Sequence, residues 1–80
     1  MIYLYVLEGC PFSIAAIELT EELNLPYKKI VVKSKSKTKY KKKHRMDTFP
    51  HIFFKNRKGK MIKIGGYEEY KSIIGLCLRV

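Results

Sequence analysis

Residues 2–13, with the sequence IYLYVLEGCPFS, form the stretch that decides the fold. The apolar run from Ile2 to Leu7 is rich in β-branched and aromatic residues, so it predicts a buried strand, which Gly9 ends. Pro11 suits the first turn of a helix, because its fixed φ is helical and its missing N–H would have no partner there. The sequence therefore places Cys10 at a junction between a strand and a helix.

A helix and a second strand are expected after this junction. Apolar residues recur at helical spacing from residue 12 to residue 23, and Pro26 stops the helix soon afterwards. The segment from Tyr27 to Val32 predicts the strand. A strand, helix, strand order with this spacing favours a parallel pair of strands joined by a right-handed crossover.

The next segment is strongly basic. Ten of the 17 basic residues lie between Lys28 and Arg45, an interval without any acidic residue. Like charges at i,i+4 weaken a helix and only Tyr40 and Met46 could dock one here, so we expect a poorly anchored helix or a mobile loop. Such a run is most often a solvated face. With one interleaved aromatic residue, Lys33 to Arg45 predicts at most weak, nonspecific contact with anions or nucleic acid.

The last part of the chain again shows patterns typical of strands and a helix. Residues 51–54 and 61–64 predict the two strands of a hairpin, whose turn ends at Gly59. Gly65-Gly66 breaks the second strand, and the acidic pair Glu68-Glu69 suits the start of a last helix. The apolar face of that helix contains Tyr70, Ile73, Ile74 and Cys77.

This element order defines the expected fold class. The order β-α-β, basic segment, β-β-α is that of a thioredoxin-like α/β domain, with a four-stranded mixed sheet flanked by helices. Eighty residues suffice for one compact domain, so we treat residues 1–80 as a single domain. The first apolar run lacks a basic region before it, and no apolar run approaches the ~18 residues of a membrane span, so we expect neither a secretory signal nor membrane attachment.

Two cysteines 67 positions apart do not make a disulfide framework, which favours a reducing, cytoplasmic location. At a helix N-terminus, Cys10 would meet unpaired backbone N–H groups and the positive end of the helix dipole, and both stabilise thiolate over thiol. This position indicates a reactive thiol. The alternative is a buried cysteine that packs as a small hydrophobic residue.

Three motifs in register resemble those of the glutaredoxins, and the resemblance covers most of the chain outside residues 33–46. Cys10-Pro11-Phe12-Ser13 resembles the active-site tetrad, with serine in the second cysteine position. Thr48-Phe49-Pro50 resembles the family's Thr-Val-Pro, and Gly65-Gly66-Tyr67-Glu68-Glu69 resembles its Gly-Gly-x-Asp-Asp. Each motif is weak alone, but three in family order indicate this family.

The resemblance implies a glutathione site. In the family the proline of the second motif is cis, and the residue before it offers backbone groups to the cysteinyl part of glutathione; these roles fall on Pro50 and Phe49. The third motif would hold the γ-glutamyl end through the backbone of Gly66 and the side chain of Glu68. A strand-to-helix turn with a first-turn acid explains Gly66 and Glu68 equally well. The resemblance further implies Phe12 and Tyr67 as walls of the groove, and Pro11 and Thr48 as parts of the thiolate site.

Ser13 decides the type of cycle that the resemblance implies. Cys10 has no neighbouring thiol, so a one-cysteine cycle remains, in which Cys10 takes a glutathionyl group from a protein and a second glutathione regenerates it. The implied activity is a glutathione-dependent oxidoreductase whose partners are glutathionylated or disulfide-bonded proteins. Ser13 would donate a hydrogen bond to the thiolate, cap the helix, or do both. We interpret Cys77 as a packing residue rather than a resolving thiol.

One family feature is missing, because Leu7 stands where the family often has a lysine that binds the glycyl carboxylate of glutathione. We interpret Lys43 or Arg45 as its substitute. His44 and His51 have no metal-ligand spacing, so we assign them to the basic segment and to a strand, and we expect no metal site.

Two other functions are compatible with the sequence. Some single-cysteine relatives of the glutaredoxins bridge a [2Fe–2S] cluster between two subunits through cysteine and glutathione, although those usually carry glycine where this chain has Pro11. The second alternative is a nucleic-acid-binding or scaffold protein with a thioredoxin-like shape, in which Lys33 to Lys39 neutralises phosphates.

Overall fold

The computed structural model of the chain describes the backbone of residues 1–78 and the side chains of residues 1–74. The side chain of Cys77, which we expected on the apolar face of the last helix, lies outside these residues. Among the helices of the described part, none is both long and apolar enough to cross a membrane. The strands are β1 (Ile2–Leu7), β2 (Tyr27–Val32), β3 (His51–Lys55) and β4 (Met61–Gly65), and the helices are α1 (Pro11–Glu22), α2 (Lys37–His44) and α3 (Tyr67–Leu78), with a short 3₁₀ helix (Ser34–Ser36) before α2.

The strands form one mixed sheet in the order β2-β1-β3-β4. β1 runs parallel to β2 and antiparallel to β3, and β3 runs antiparallel to β4. The parallel pair requires a crossover, which α1 provides. The predicted thioredoxin-like α/β class is confirmed by this architecture.

Helices lie on both faces of the sheet. Because alternate residues of β1 point to opposite sides, β1 contacts the helices of both layers. On one side, Leu4 is fully buried in a cluster with Ala16 of α1 and Tyr70 of α3. On the other side, Tyr5 contacts His44 of α2, with ring centroids 4.5 Å apart. α1 and α3 therefore lie on one face of the sheet and α2 on the other.

α2 is held to the sheet by contacts that the sequence did not predict. The His44 ring lies 4.5 Å from the Tyr5 ring and 4.8 Å from the Phe53 ring, centroid to centroid. Lys63 Nζ donates hydrogen bonds to the carbonyl oxygens of His44 at 3.0 Å and Arg45 at 3.2 Å, where the helix ends. Of the two expected outcomes, a poorly anchored helix or a mobile loop, the structure has the helix: no residue of α2 is buried, and the half-buried Tyr40 and His44 dock it.

The turn of the β3–β4 hairpin is built by a side chain and a glycine. Asn56 Oδ1 accepts hydrogen bonds from the amides of Lys58 at 2.9 Å and Lys60 at 3.0 Å. Gly59 has φ of 83°, in the left-handed region that glycine adopts without steric cost. The predicted hairpin with a turn ending at Gly59 is confirmed.

Candidate active site

Cys10 lies at the predicted junction between β1 and α1. Its amide donates to the carbonyl oxygen of Leu7 at 3.1 Å, which closes the tight turn after β1. Its carbonyl oxygen accepts from the amide of Ile14 at 3.1 Å, so Cys10 is the N-cap residue of α1. The residue is partly exposed. The alternative of a buried packing cysteine does not describe this position.

The first turn of α1 leaves backbone donors beside Cys10. Helix geometry gives the amides of Phe12 and Ser13 no carbonyl one turn earlier to bond, and Pro11 has no N–H. α1 contains no acidic residue in its first turn. The start of α1 therefore presents two N–H groups and the positive end of the dipole toward the side of the helix from which Cys10 projects.

Ser13 is buried and binds the backbone of β1. Its Oγ accepts a hydrogen bond from the amide of Leu7 at 3.1 Å, and the side chain is 1% exposed. α1 has no side-chain cap, so helix capping, one of the two roles considered for Ser13, is not seen. Because Oγ accepts from Leu7, the hydroxyl keeps its own proton available for donation.

The Phe49–Pro50 bond lies beside Cys10 and is cis, as the resemblance implied. The Sγ of Cys10 is 3.8 Å from the carbonyl oxygen of Phe49, a distance at which a thiol S–H donates weakly. Both Phe49 and Pro50 are buried. The backbone before Pro50 therefore borders the thiol.

A groove of about 640 Å³ opens next to this backbone. Phe12 and Tyr67 lie across it, with ring centroids 6.1 Å apart and planes inclined by 42°. Cys10, Pro11, Ser13 and Pro50 are not among the lining residues; Pro11, Ser13 and Pro50 adjoin lining residues in sequence, and Cys10 is two positions before Phe12. The predicted site residues that line the groove are Phe12, Thr48, Phe49, Gly66, Tyr67 and Glu68.

The end of the groove formed by β4 and α3 combines two glycines with charged side chains. Gly65 has φ of 126°, and a Cβ there would lie 3.0 Å from the Cβ of Glu69. The carbonyl oxygen of Gly66 accepts from the amide of Tyr70 at 3.0 Å, which fixes the start of α3. Glu68 and Glu69 line the groove in the first turn of α3. This end therefore offers close backbone approach together with negative charge.

The positive charge in the groove comes from a residue that the sequence did not single out. Lys63 lines the groove, whereas Lys43 and Arg45, which we had interpreted as the substitute for the missing lysine, do not. The Lys63 ammonium group is held by the carbonyl oxygens at the end of α2. Alternation in β4 was the available signal, because Lys63 stands between Ile62 and Ile64 and must point to the opposite face.

The side chain of His51 contacts both Phe49, whose carbonyl oxygen lies near Cys10, and His44 of α2. Its ring stacks on that of Phe49, with centroids 4.0 Å apart and planes 8° from parallel. Its Nδ1 lies 2.9 Å from Nδ1 of His44, and its Nε2 is buried without a hydrogen-bond partner. Burial, with His44 nearby, lowers the pKa of His51 from 6.5 to about 4. Within the described residues, no group of three or more His, Cys, Asp or Glu side chains could hold a metal ion.

The chain is similar to known proteins in both sequence and fold. The family model described as Glutaredoxin matches residues 2–58 of this chain. The fold is similar to that of glutaredoxin 1 from Francisella tularensis, whose crystal structure contains cacodylate, with a TM-score of 0.71 and 21% sequence identity over 99% of this chain and 96% of that one. Among curated proteins, none matches this chain significantly.

Proposed function

The chain belongs to the glutaredoxin family, and on that basis we propose that it reduces protein–glutathione mixed disulfides through Cys10, with glutathione as co-substrate. The family and the fold suggest thiol–disulfide oxidoreductase activity. The position of Cys10 carries the finer proposal: the thiol is partly exposed, starts α1 and lies 3.8 Å from the carbonyl oxygen of groove-lining Phe49. Its protein partners would be glutathionylated or disulfide-bonded proteins.

The proposed catalytic cycle uses one thiol of this chain, that of Cys10. The Cys10 thiolate attacks the glutathione sulfur of the mixed disulfide, so a bond forms between Cys10 and glutathione while the original disulfide breaks. The released protein thiolate takes up a proton from solvent. The thiolate of a second glutathione then attacks the glutathionyl sulfur on Cys10, which yields oxidised glutathione and restores the Cys10 thiolate. Because position 13 is serine, no disulfide competes within the tetrad.

The surroundings of Cys10 suit this chemistry. The unpaired amides of the first turn of α1 stabilise the thiolate as attacking group and as leaving group. Ser13 Oγ accepts from the Leu7 amide, which leaves its hydroxyl proton free, and we propose the Cys10 thiolate as the acceptor of that proton's hydrogen bond. Pro11, directly after Cys10, and Thr48, directly before Phe49, complete the proposed thiolate site.

The groove contains partners for the ammonium group and for one carboxylate of glutathione, with three acidic side chains and one lysine among its lining residues. Glutathione carries two carboxylates and one ammonium group, and the groove contains both acidic side chains and the ammonium group of Lys63. We assign its γ-glutamyl end to the backbone of Gly66 and to Glu68. We assign its glycyl carboxylate to Lys63 in place of Lys43 or Arg45. The rings of Phe12 and Tyr67 enclose its middle part. Because the proposed cycle requires reduced glutathione, we also propose a reducing, cytoplasmic location for the protein.

Glutathione-dependent reduction of a glutathionylated peptide tests the proposal. The wild type, Cys10→Ser and Cys77→Ser are compared, because these two positions are the only cysteines of the chain. We expect Cys10→Ser to be inactive and Cys77→Ser to retain wild-type activity. Full activity of Cys10→Ser would overturn the enzymatic proposal, and loss of activity in folded Cys77→Ser would contradict the one-cysteine cycle.

A further inference from the structure

The charges of the protein are separated between the two faces of the sheet. α1 contains three acidic residues and no basic one, and α3 begins with Glu68 and Glu69, so five of the seven acidic residues lie in these two helices. The four strands contain no acidic residue. α2, on the opposite face, carries five lysines among its eight residues. The fold therefore presents positive charge on the α2 side.

The strand register extends this positive charge across the sheet. Lys28 pairs with Tyr3, Tyr3 with Phe53, and Phe53 with Lys63. Directly paired residues of neighbouring strands share a face, and Phe53 contacts His44 of α2. Lys28 and Lys63 therefore flank α2 on its own side of the sheet. We call α2, the preceding 3₁₀ helix and Lys28 the basic face; Lys63 is not included, because it lines the groove beside Glu68 and Glu69.

The solvent side of α2 contains no apolar residue. Its two aromatic residues, Tyr40 and His44, are half-buried against Tyr5. At 100° per residue, Lys39 and Lys42 project from the opposite side of the helix, and both are exposed. No acidic residue of α2 is available to neutralise them within the helix. These charges are directed outward and have no acidic partner within α2.

We propose that the basic face binds the phosphate backbone of a nucleic acid duplex without reading its sequence. A helix of eight residues is about 12 Å long, and one strand of a duplex carries a phosphate about every 3.4 Å, so α2 can face roughly four phosphates. Lysines act as point charges on phosphates and lack the bidentate geometry with which arginine recognises guanine. A surface of lysines therefore predicts affinity for the phosphate backbone that does not depend on base sequence.

The same features disfavour other partners. Cores of protein–protein interfaces are depleted in lysine and rich in aromatic residues, which the outer side of α2 lacks. Helices that lie in a membrane surface need an apolar face, and both aromatic residues of α2 are used against the sheet. Single-strand binding depends on exposed aromatic side chains for base stacking, whereas Tyr40 is half-buried. A duplex, with phosphates outside, requires none of these.

Fluorescence anisotropy with a labelled 20-base-pair DNA duplex tests the proposal. The test variant neutralises three exposed lysines of the basic face, Lys35→Gln, Lys39→Gln and Lys42→Gln. The control variant loses the same charge in the exposed hairpin turn, by Arg57→Gln, Lys58→Gln and Lys60→Gln. Circular dichroism checks that both remain folded. Removing like charges from α2 relieves repulsion, so we expect the helix to persist.

For the wild type we expect the affinity to fall about 100-fold between 50 and 200 mM salt, as roughly four phosphate contacts predict. The salt slope of the test variant should decrease by about 3, while that of the control stays near wild type. Two duplexes of different sequence should bind alike, and a single strand of equal length more weakly. Equal losses in both variants would overturn the proposal, since binding would then follow net charge alone. Tighter binding to vesicles containing phosphatidylserine than to the duplex, or no duplex binding at 50 mM salt, would also overturn it.

Discussion

The side chains of His44 and His51 meet between α2 and β3, with their Nδ1 atoms 2.9 Å apart. One nitrogen must donate and the other accept, so the contact requires at least one neutral imidazole. His51 has no exposed surface and stacks on Phe49, whose carbonyl oxygen lies beside the Cys10 thiol. The pair therefore connects the basic helix to the backbone of the active site.

The burial of His51 in this contact predicts that the free energy of unfolding falls already between pH 7 and pH 5, above the pH range in which carboxylates titrate. In the unfolded chain a histidine titrates near pH 6.5, whereas burial lowers the pKa of His51 to about 4. Between pH 7 and pH 5 the unfolded state takes up a proton that folded His51 does not bind, so stability falls with pH. From His51 alone we expect a loss of about 2 kcal/mol in the free energy of unfolding. Burial also lowers the pKa of His44, which acts in the same direction.

Urea denaturation at pH 7 and pH 5 measures this loss. His44 and His51 are the only histidines of the chain, so the double variant His44→Phe, His51→Asn removes all histidine titration. Its stability should change far less between the two pH values, whatever its stability at pH 7. A wild-type protein as stable at pH 5 as at pH 7 would contradict the buried neutral state of His51.

Local patterns predicted the fold because each element follows from residues close in sequence. The apolar run before Gly9 and the proline after Cys10 predicted the strand-to-helix junction, and both lie there in the structure. Pro26 after α1, Gly59 in the hairpin turn and Gly65-Gly66 at the end of β4 marked other boundaries in the same way. The family resemblance implied the cis peptide bond before Pro50, which composition and periodicity do not predict.

Contacts between distant residues account for what the sequence did not predict. The anchoring of α2 depends on His44 meeting Tyr5, a strand residue 39 positions earlier. The positive charge in the groove comes from Lys63, which is placed by the register of β4 against β3. The two roles considered for Ser13, helix capping and a hydrogen bond to the thiolate, both involve neighbouring residues, whereas the partner in the structure is the amide of Leu7, in the strand before the turn.

The hydrogen bond between Ser13 and Leu7 predicts a structural role for the tetrad serine. Ser13→Ala leaves the Leu7 amide without its acceptor at a buried position, which should lower the free energy of unfolding by about 1–3 kcal/mol. Ser34→Ala, at an exposed serine of the 3₁₀ helix, is the control and should change stability by less than about 0.5 kcal/mol. Thermal or urea denaturation measures the stability of both variants and of the wild type. If Ser13→Ala were as stable as Ser34→Ala, Ser13 would have no structural role.

The two glycines at the start of α3 should differ in their tolerance of alanine. Gly65 has φ of 126°, and an added Cβ would lie 3.0 Å from the Cβ of Glu69, so Gly65→Ala should destabilise by about 1–3 kcal/mol. At Gly66 the nearest atom to a new Cβ would be a carboxylate oxygen of Glu69 at 3.5 Å, an ordinary contact. Gly66→Ala should therefore remain within about 1 kcal/mol of wild type. Denaturation curves that rank the two variants in the opposite order would refute this difference.

Thr20 of α1 and Tyr70 of α3 form a buried hydrogen bond between their hydroxyl groups. Tyr70→Phe should cost about 1 kcal/mol, because the Thr20 hydroxyl keeps its bond to the carbonyl oxygen of Ala16 at 2.8 Å. Thr20→Val should cost more, about 1–3 kcal/mol, because it leaves a fully buried phenol without a partner.

Combining the two changes removes both polar partners, so the double variant should be more stable than Thr20→Val alone. A double-mutant cycle measured by urea denaturation isolates this coupling. Additive losses would show instead that α1 and α3 are joined by apolar packing alone, and that this hydroxyl pair contributes nothing specific to their contact.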